Sequence, residues 1–177
     1  EYTAMALSNQ GMGLLWAGDE REAGASLSQA LAAVDATGVE LTRINVLGHI
    51  GLCAASAGRL REAQDHGAAA VSLAHTRGWN TLEQVSTAYL TLALVNMHRG
   101  NALEAERMLQ LGLAAQPTRA DRLPLTALLA TRIRVLTMRQ RLAPARHALD
   151  DLKHSVAAWR PPDLLGRWLG VAEAELA

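Results

Sequence analysis

The feature that most constrains this chain is a turn that keeps returning. Ala17-Gly18-Asp19-Glu20-Arg21-Glu22-Ala23 comes back as Ala57-Gly58-Arg59-Leu60-Arg61-Glu62-Ala63 and again as Arg99-Gly100-Asn101-Ala102-Leu103-Glu104-Ala105. A worn fourth copy is Gln140-Arg141-Leu142-Ala143-Pro144-Ala145. The alanines at 23, 63, 105 and 145 are 40, 42 and 40 residues apart, a beat that marks stacked copies of one supersecondary unit.

Around each turn runs a ladder of small residues spaced seven, five and seven. It reads Gly11, Gly18, Ala23 and Ala30, then Gly51, Gly58, Ala63 and Ala70, then Ala93, Gly100, Ala105 and Gly112. In the fourth copy only Ala145 survives among Ile133, Gln140 and Leu152. A small residue before the turn lets two helices approach, the turn glycine takes a left-handed backbone, and the later alanine sits where helices cross. Each unit is therefore expected to be a helical hairpin. This ladder resembles the tetratricopeptide (TPR) repeat, whose period of 34 is shorter; here the extra residues fall between hairpins, at 37–41, 76–80 and 116–124, or lengthen the helices.

Composition agrees. The chain is 50% hydrophobic yet has no Phe and only three Ile (44, 50 and 133), so it is rich in helix formers and poor in strand formers. Helices are expected at 3–17, 20–36, 41–57, 60–76, 81–99, 102–115, 121–139, 143–158 and 163–177. Asp19, Asn80 and Asn101, each three residues before a Glu, are expected to act as capping boxes. The fold predicted is all-α: about nine helices in antiparallel hairpins (3–36, 41–76, 81–115 and 121–158, plus 163–177 as the first helix of a fifth repeat), stacked as one right-handed TPR-like α-solenoid domain over 1–177.

Charge and cysteine narrow the function classes. Seventeen basic residues balance seventeen acidic ones, so no bulk attraction to nucleic acid or anionic membrane is implied. A lone Cys53 excludes an internal disulfide framework and favours a reducing compartment, the cytoplasm. No apolar run approaches the ~20 residues of a membrane span. A single Lys153 against sixteen Arg points to a GC-rich bacterial genome. The start at Glu1-Tyr2-Thr3 and the uncapped end suggest a piece of a longer protein, whose last helix would expose an apolar face and leave room for a homodimer.

The hairpin length and the Ala-Gly-x-x-x-Glu-Ala turn, together with Ala6–Asp19 and the stretch Asp163–Leu176, resemble the repeat domain of MalT-like, LuxR-family bacterial transcription regulators. That resemblance implies a sensor segment that binds a small-molecule inducer or a regulatory protein or peptide; the alternative is a generic TPR protein-interaction scaffold or peptide receptor without a transcriptional role. DNA binding would belong to a separate module. No Gly-x-x-x-x-Gly-Lys phosphate loop and no recognition helix appear here, so neither a nucleotide cofactor nor direct nucleic-acid contact is expected.

No catalytic constellation stands out. The six histidines (49, 66, 75, 98, 147 and 154) follow no metal-ligand spacing; His66 after Glu62 and His154 after Asp150 read as exposed helix-face pairs. Cys53 falls in an apolar stretch and reads as a buried hydrophobe. Seven arginines against one Asp between 119 and 147 could form an anion site, although a solvated face is the simpler reading. The functional surface is expected instead on the first helix of each hairpin, which lines the concave side of such a solenoid. Carried across by the ladder, the candidate ligand- or partner-binding residues are Met12, Trp16, Asn45, Thr87, Met97, His98, Arg134 and Met138, an apolar groove with a few orienting polar groups. No metal, cofactor or catalytic residue is assigned.

Overall fold

The computed structural model describes residues 2–116, 122–157 and 159–177. Among them are nine α-helices and no strand: α1 (Tyr2–Ala17), α2 (Glu20–Thr37), α3 (Glu40–Ser56), α4 (Leu60–Arg77), α5 (Ser86–His98), α6 (Ala102–Ala114), α7 (Arg122–Met138), α8 (Leu142–Val156) and α9 (Asp163–Ala174). The helices pair α1 with α2, α3 with α4, α5 with α6 and α7 with α8, and successive hairpins stack through α3 and α5. The expected all-α solenoid is what forms.

The recurring turn folds identically four times. The amides of Gly18, Gly58, Gly100 and Gln140 donate to the carbonyls of Leu15, Ala55, Met97 and Thr137 at 2.9–3.0 Å. The next amides, of Asp19, Arg59, Asn101 and Arg141, reach back to Leu14, Ala54, Asn96 and Leu136 at 2.8–2.9 Å. These bonds satisfy the orphan carbonyls of each first helix, and they require a positive φ at the first residue of the pair. That φ is +89° at Gly18, +75° at Gly58 and +78° at Gly100. In the worn fourth copy Gln140 is forced to +57°, so the backbone of the turn persists where its glycine is gone.

The ladder's other rungs are close approaches. A Cβ on Gly11 would lie 2.6 Å from Leu27 Cγ, and one on Gly51 would lie 2.8 Å from Thr91 Cγ2. Ala23, Ala30, Ala63, Ala70 and Ala105 are fully buried at the crossings. Most of the core is one cluster running from α1 to α7 and taking in Leu164 and Leu165 of α9, with Leu27, Ile44, Leu52, Leu90, Leu109 and Leu128 fully buried. A second, around Ile133, Leu136, Leu149, Leu152 and Leu169, joins α7, α8 and α9.

Several local expectations fail for physical reasons. Of the three expected capping boxes only the first forms, and only by half: the Asp19 carboxylate accepts from the Glu22 amide at 3.2 Å, while the Asp19 amide donates to Leu14. Asn101 occupies the N-cap of α6 without a side-chain bond, and the Glu104 carboxylate, the other half of the expected box, is held by a two-pronged Arg107 at 2.7 and 2.9 Å. Asn80 caps nothing: the chain passes through an extended Leu82 and a single 3-10 turn, Glu83–Val85, before α5 starts at Ser86. Glu62 is engaged by Arg59 at 2.7 Å and not by His66, and on α8 the histidine–carboxylate pair is His147 with Asp151 at 3.5 Å, in place of His154 with Asp150. Arg119, Asp121 and Ala158 lie outside the described residues.

The last helix differs most. Expected to leave an apolar face open, α9 instead buries Leu164, Leu165, Leu169 and Ala172 against the body of the chain. It packs on α7 and also touches α1, so the fourth hairpin is bridged back to the first.

Candidate functional site

A composite cleft is built from the first helices of the hairpins. Its middle, about 450 Å³, is lined by Met12 of α1, Asn45 and His49 of α3, the Glu83–Thr87 region, and Pro124 of α7. A shallow arm of about 150 Å³ continues past Ser8, Asn9 and Gln84, sharing Asn45 with the middle. On the other side Met12 and His49 lead into a mainly apolar end of about 460 Å³, walled by Trp16, Leu123 and Pro162.

The placement of these side chains follows from helix periodicity. Asn9, Met12 and Trp16 recur at three and four residues, and Asn45 and His49 are four apart, so each set shares one face. α3 and α5 lie close because Gly48 carries no Cβ; one there would stand 3.0 Å from the backbone nitrogen of Ala88. The Thr91 hydroxyl secures this approach from α5, bonding to the Gly48 carbonyl at 3.1 Å and to the Thr87 carbonyl at 2.9 Å. His49 is buried, with Nδ1 2.9 Å from the Asn45 carbonyl. A carbonyl only accepts, so Nδ1 carries the proton. The imidazole meets the Trp16 indole edge to face, with centroids 6.5 Å apart. The Asn45 amide meets Met12 Sδ at 3.7 Å, a long contact to a weak acceptor.

Of the eight candidates read from the sequence, the structure gathers Met12, Trp16, Asn45 and Thr87 in this cleft, with Trp16 and Thr87 buried in its wall. The other four stand elsewhere. Met97 is buried in the core, while His98 and Met138 are exposed near the ends of α5 and α7. Arg134 spends its guanidinium on Glu175, with three bonds of 2.9–3.1 Å. In the arginine-rich stretch, Arg139 and Arg141 likewise both reach a carboxylate, Glu106 on the preceding hairpin.

The sequence reading missed His49, Gln84, Leu123, Pro124 and Pro162. His49 was legible as the residue one turn after Asn45 on the same helix face. The others arrive from inter-hairpin segments or from distant hairpins by curvature of the stack, for which no local pattern exists.

Among the described residues no three His, Cys, Asp or Glu side chains are grouped to hold a metal ion. Cys53 is buried, and burial pushes its thiol up to about 12, away from the reactive thiolate. No described helix is long and apolar enough to cross a membrane.

Solved structures resemble the chain over nearly its whole length. One is a variant of a Podosopora anserina kinesin-light-chain-type protein with nearly identical TPR-like repeats: TM-score 0.62 at 17% identity, covering 99% of this chain and 88% of that one. The corresponding unsubstituted protein matches with a TM-score of 0.61 at 15% identity, over 97% of this chain and 85% of that one. At such identity the likeness is one of fold, a TPR-like α-solenoid. No family model and no curated protein matches the sequence.

Proposed function

We propose that this solenoid, acting as one unit over 1–177, is a non-enzymatic binding module that takes an extended segment of a partner protein in its concave cleft. The observation that carries the reading is the cleft's chemistry. Asn9, Asn45 and Gln84 place neutral carboxamides along its polar half, and each offers a donor and an acceptor, the complement of a peptide backbone. Met12, Trp16, Leu123 and Pro162 make an apolar end for one bulky side chain. The cleft is nearly uncharged, Glu83 apart, so the specificity it supports is of shape and hydrogen bonding. The TPR-like neighbours favour a protein partner over a substrate.

The test is a fluorescence-polarisation screen of peptide libraries, followed by Asn45→Ala and Trp16→Ala in any binder. Each is expected to weaken binding by roughly tenfold or more, about 1.4 kcal/mol. Binding that ignores both but responds to His98→Ala or Met138→Ala would move the site off this cleft.

A narrower form makes this chain the sensor segment of a cytoplasmic LuxR-type bacterial regulator, with an inducer or regulatory protein in the cleft. What favours it is the 40–42-residue unit and the Ala-Gly-x-x-x-Glu-Ala turn. A gene encoding no helix-turn-helix module downstream would rule it out.

A further inference from the structure

A cavity of about 690 Å³ lies away from the cleft, between the second helices α4 and α6, with α5 as its floor. It shares no lining residue with the cleft. Helix periodicity divides α5 between the two: Ser86 and Thr87 serve the cleft, whereas Tyr89, Leu92 and Asn96, three and four residues apart, serve this cavity. α4 settles onto α5 because Gly67 has no Cβ; one there would stand 3.1 Å from Leu92.

The lining is apolar in its walls and neutral in its polar groups. Val71, Leu92, Met108 and Leu111 supply the walls. The carboxylate of Glu104 and the guanidinium of Arg107 are closed on each other by two bonds of 2.7 and 2.9 Å, so neither is left to recruit an ion. Asn96 commits its amide nitrogen to the Leu92 carbonyl at 2.8 Å and keeps its oxygen to offer. Gln64 uses its oxygen on Arg99 at 3.3 Å and keeps its amide hydrogens.

Tyr89 is the residue that packing does not account for. It is only 3% exposed, yet its hydroxyl is neither sealed from the cavity nor, among the described residues, given a hydrogen-bond partner. Burial pushes the phenol above the ordinary tyrosine range against the pull of Arg107, so the O–H keeps its proton to donate. The repeat supplies the comparison. Shifted by the 42 and 40 residues that separate the copies, Tyr89 falls on Leu47 and Leu129, and Arg107 on Asp65 and His147. A hairpin interface of this kind is built with leucine at that position, and the phenol is peculiar to the third copy.

We propose that this cavity is a second binding site, taking an uncharged small molecule whose apolar ring system carries a carbonyl or ether oxygen that accepts from Tyr89. Its volume falls in the range of small-molecule pockets, roughly 300–1,000 Å³. A partner helix laying an apolar stripe across α4 and α6 would instead cover the phenol and both carboxamides without bonding them, which buried polar groups resist. The inference is independent of the peptide reading of the cleft.

The experiment titrates prodan, an uncharged naphthyl ketone whose emission shifts to the blue in an apolar site, into the full chain. Saturable binding at one site is expected. Tyr89→Phe keeps the ring and drops the hydroxyl, and should weaken binding roughly fivefold or more. Ser72→Trp, at an exposed position on the rim, should abolish it by filling the cavity, while Asn45→Ala in the cleft should leave it unchanged. Urea melts that match the parent show each variant folded. The site is overturned by the lack of saturable binding, by binding that either cavity variant leaves unchanged, or by binding that falls with Asn45→Ala. It is equally overturned by a dimer that Ser72→Trp disperses in sedimentation, which would put a second copy in the groove. Peptides that lose binding with Ser72→Trp but keep it with Asn45→Ala would likewise replace the small molecule with a protein segment.

Discussion

Single residues in this chain have one of two jobs, and the glycines separate them. Gly48 sits 3.0 Å, measured from its would-be Cβ, from backbone that has nowhere to go, whereas Gly24 in α2 has open space. Gly48→Ala is expected to destabilise by roughly 1–3 kcal/mol through overpacking. Gly24→Ala should stabilise by about 0.5–1 kcal/mol through helix propensity and a less flexible unfolded chain. Urea melts of the two variants check both signs. Gln140 is the complementary case, a side chain held at φ +57° where three sister turns use glycine. Gln140→Gly should raise stability by up to about 1 kcal/mol, the left-handed strain relieved less the entropy that glycine costs. Cys53 adds a pH term. Its thiol is raised to about 12 in the folded chain against 9.0 unfolded, so folding favours the protonated form. That contribution is intact below pH 9 and falls from there toward pH 12, as the unfolded chain loses its proton first, by about 1.4 kcal/mol per unit. Cys53→Ala should flatten this limb in melts run from pH 8 upward.

Among the elements, helix starts show how neighbours decide between competing local bonds. Asp19 caps α2 because its carboxylate reaches the Glu22 amide; Asn101 holds the same place on α6 without that bond. Asp19→Ala is therefore expected to cost about 1 kcal/mol and Asn101→Ala clearly less, a difference that thermal melts resolve. Ion pairs near the surface also tie helix ends together, Arg43 with Asp35 at 2.8 Å between neighbouring hairpins and Arg77 with Glu40 at 2.5 Å within the second hairpin. Exposed pairs of this kind contribute little each, and they hold register more than they hold the fold.

For the molecule as a whole the consequence of α9 is closure. A stack of hairpins has two ends and an open concave face, and here the final helix spans from the fourth hairpin to the first. Leu165 is fully buried where that contact is made. Leu165→Ala is expected to cost about 2–5 kcal/mol if closure and stack melt together. A smaller loss in the main transition, with a separate early phase, would show α9 melting apart from the stack. Calorimetry of the variant distinguishes the two.

What could be read from the sequence was everything that repeats. The ladder of small residues placed four turns and nearly every helix boundary, because a close approach or a left-handed φ admits few residue types and therefore leaves a mark in the chain. The same offsets brought Met12, Trp16, Asn45 and Thr87 to the cleft but also pointed to His98, Arg134 and Met138, which lie elsewhere, so offset from a turn fixes a helix face and not a place in the cleft. What only the tertiary structure decided was curvature. Whether Leu123, Pro124 and Pro162 meet Met12, and whether Leu164 and Leu165 are covered or bare, depends on small rotations accumulated over four hairpins. No single residue records those rotations, so the far wall of the cleft is a property of the packed chain alone.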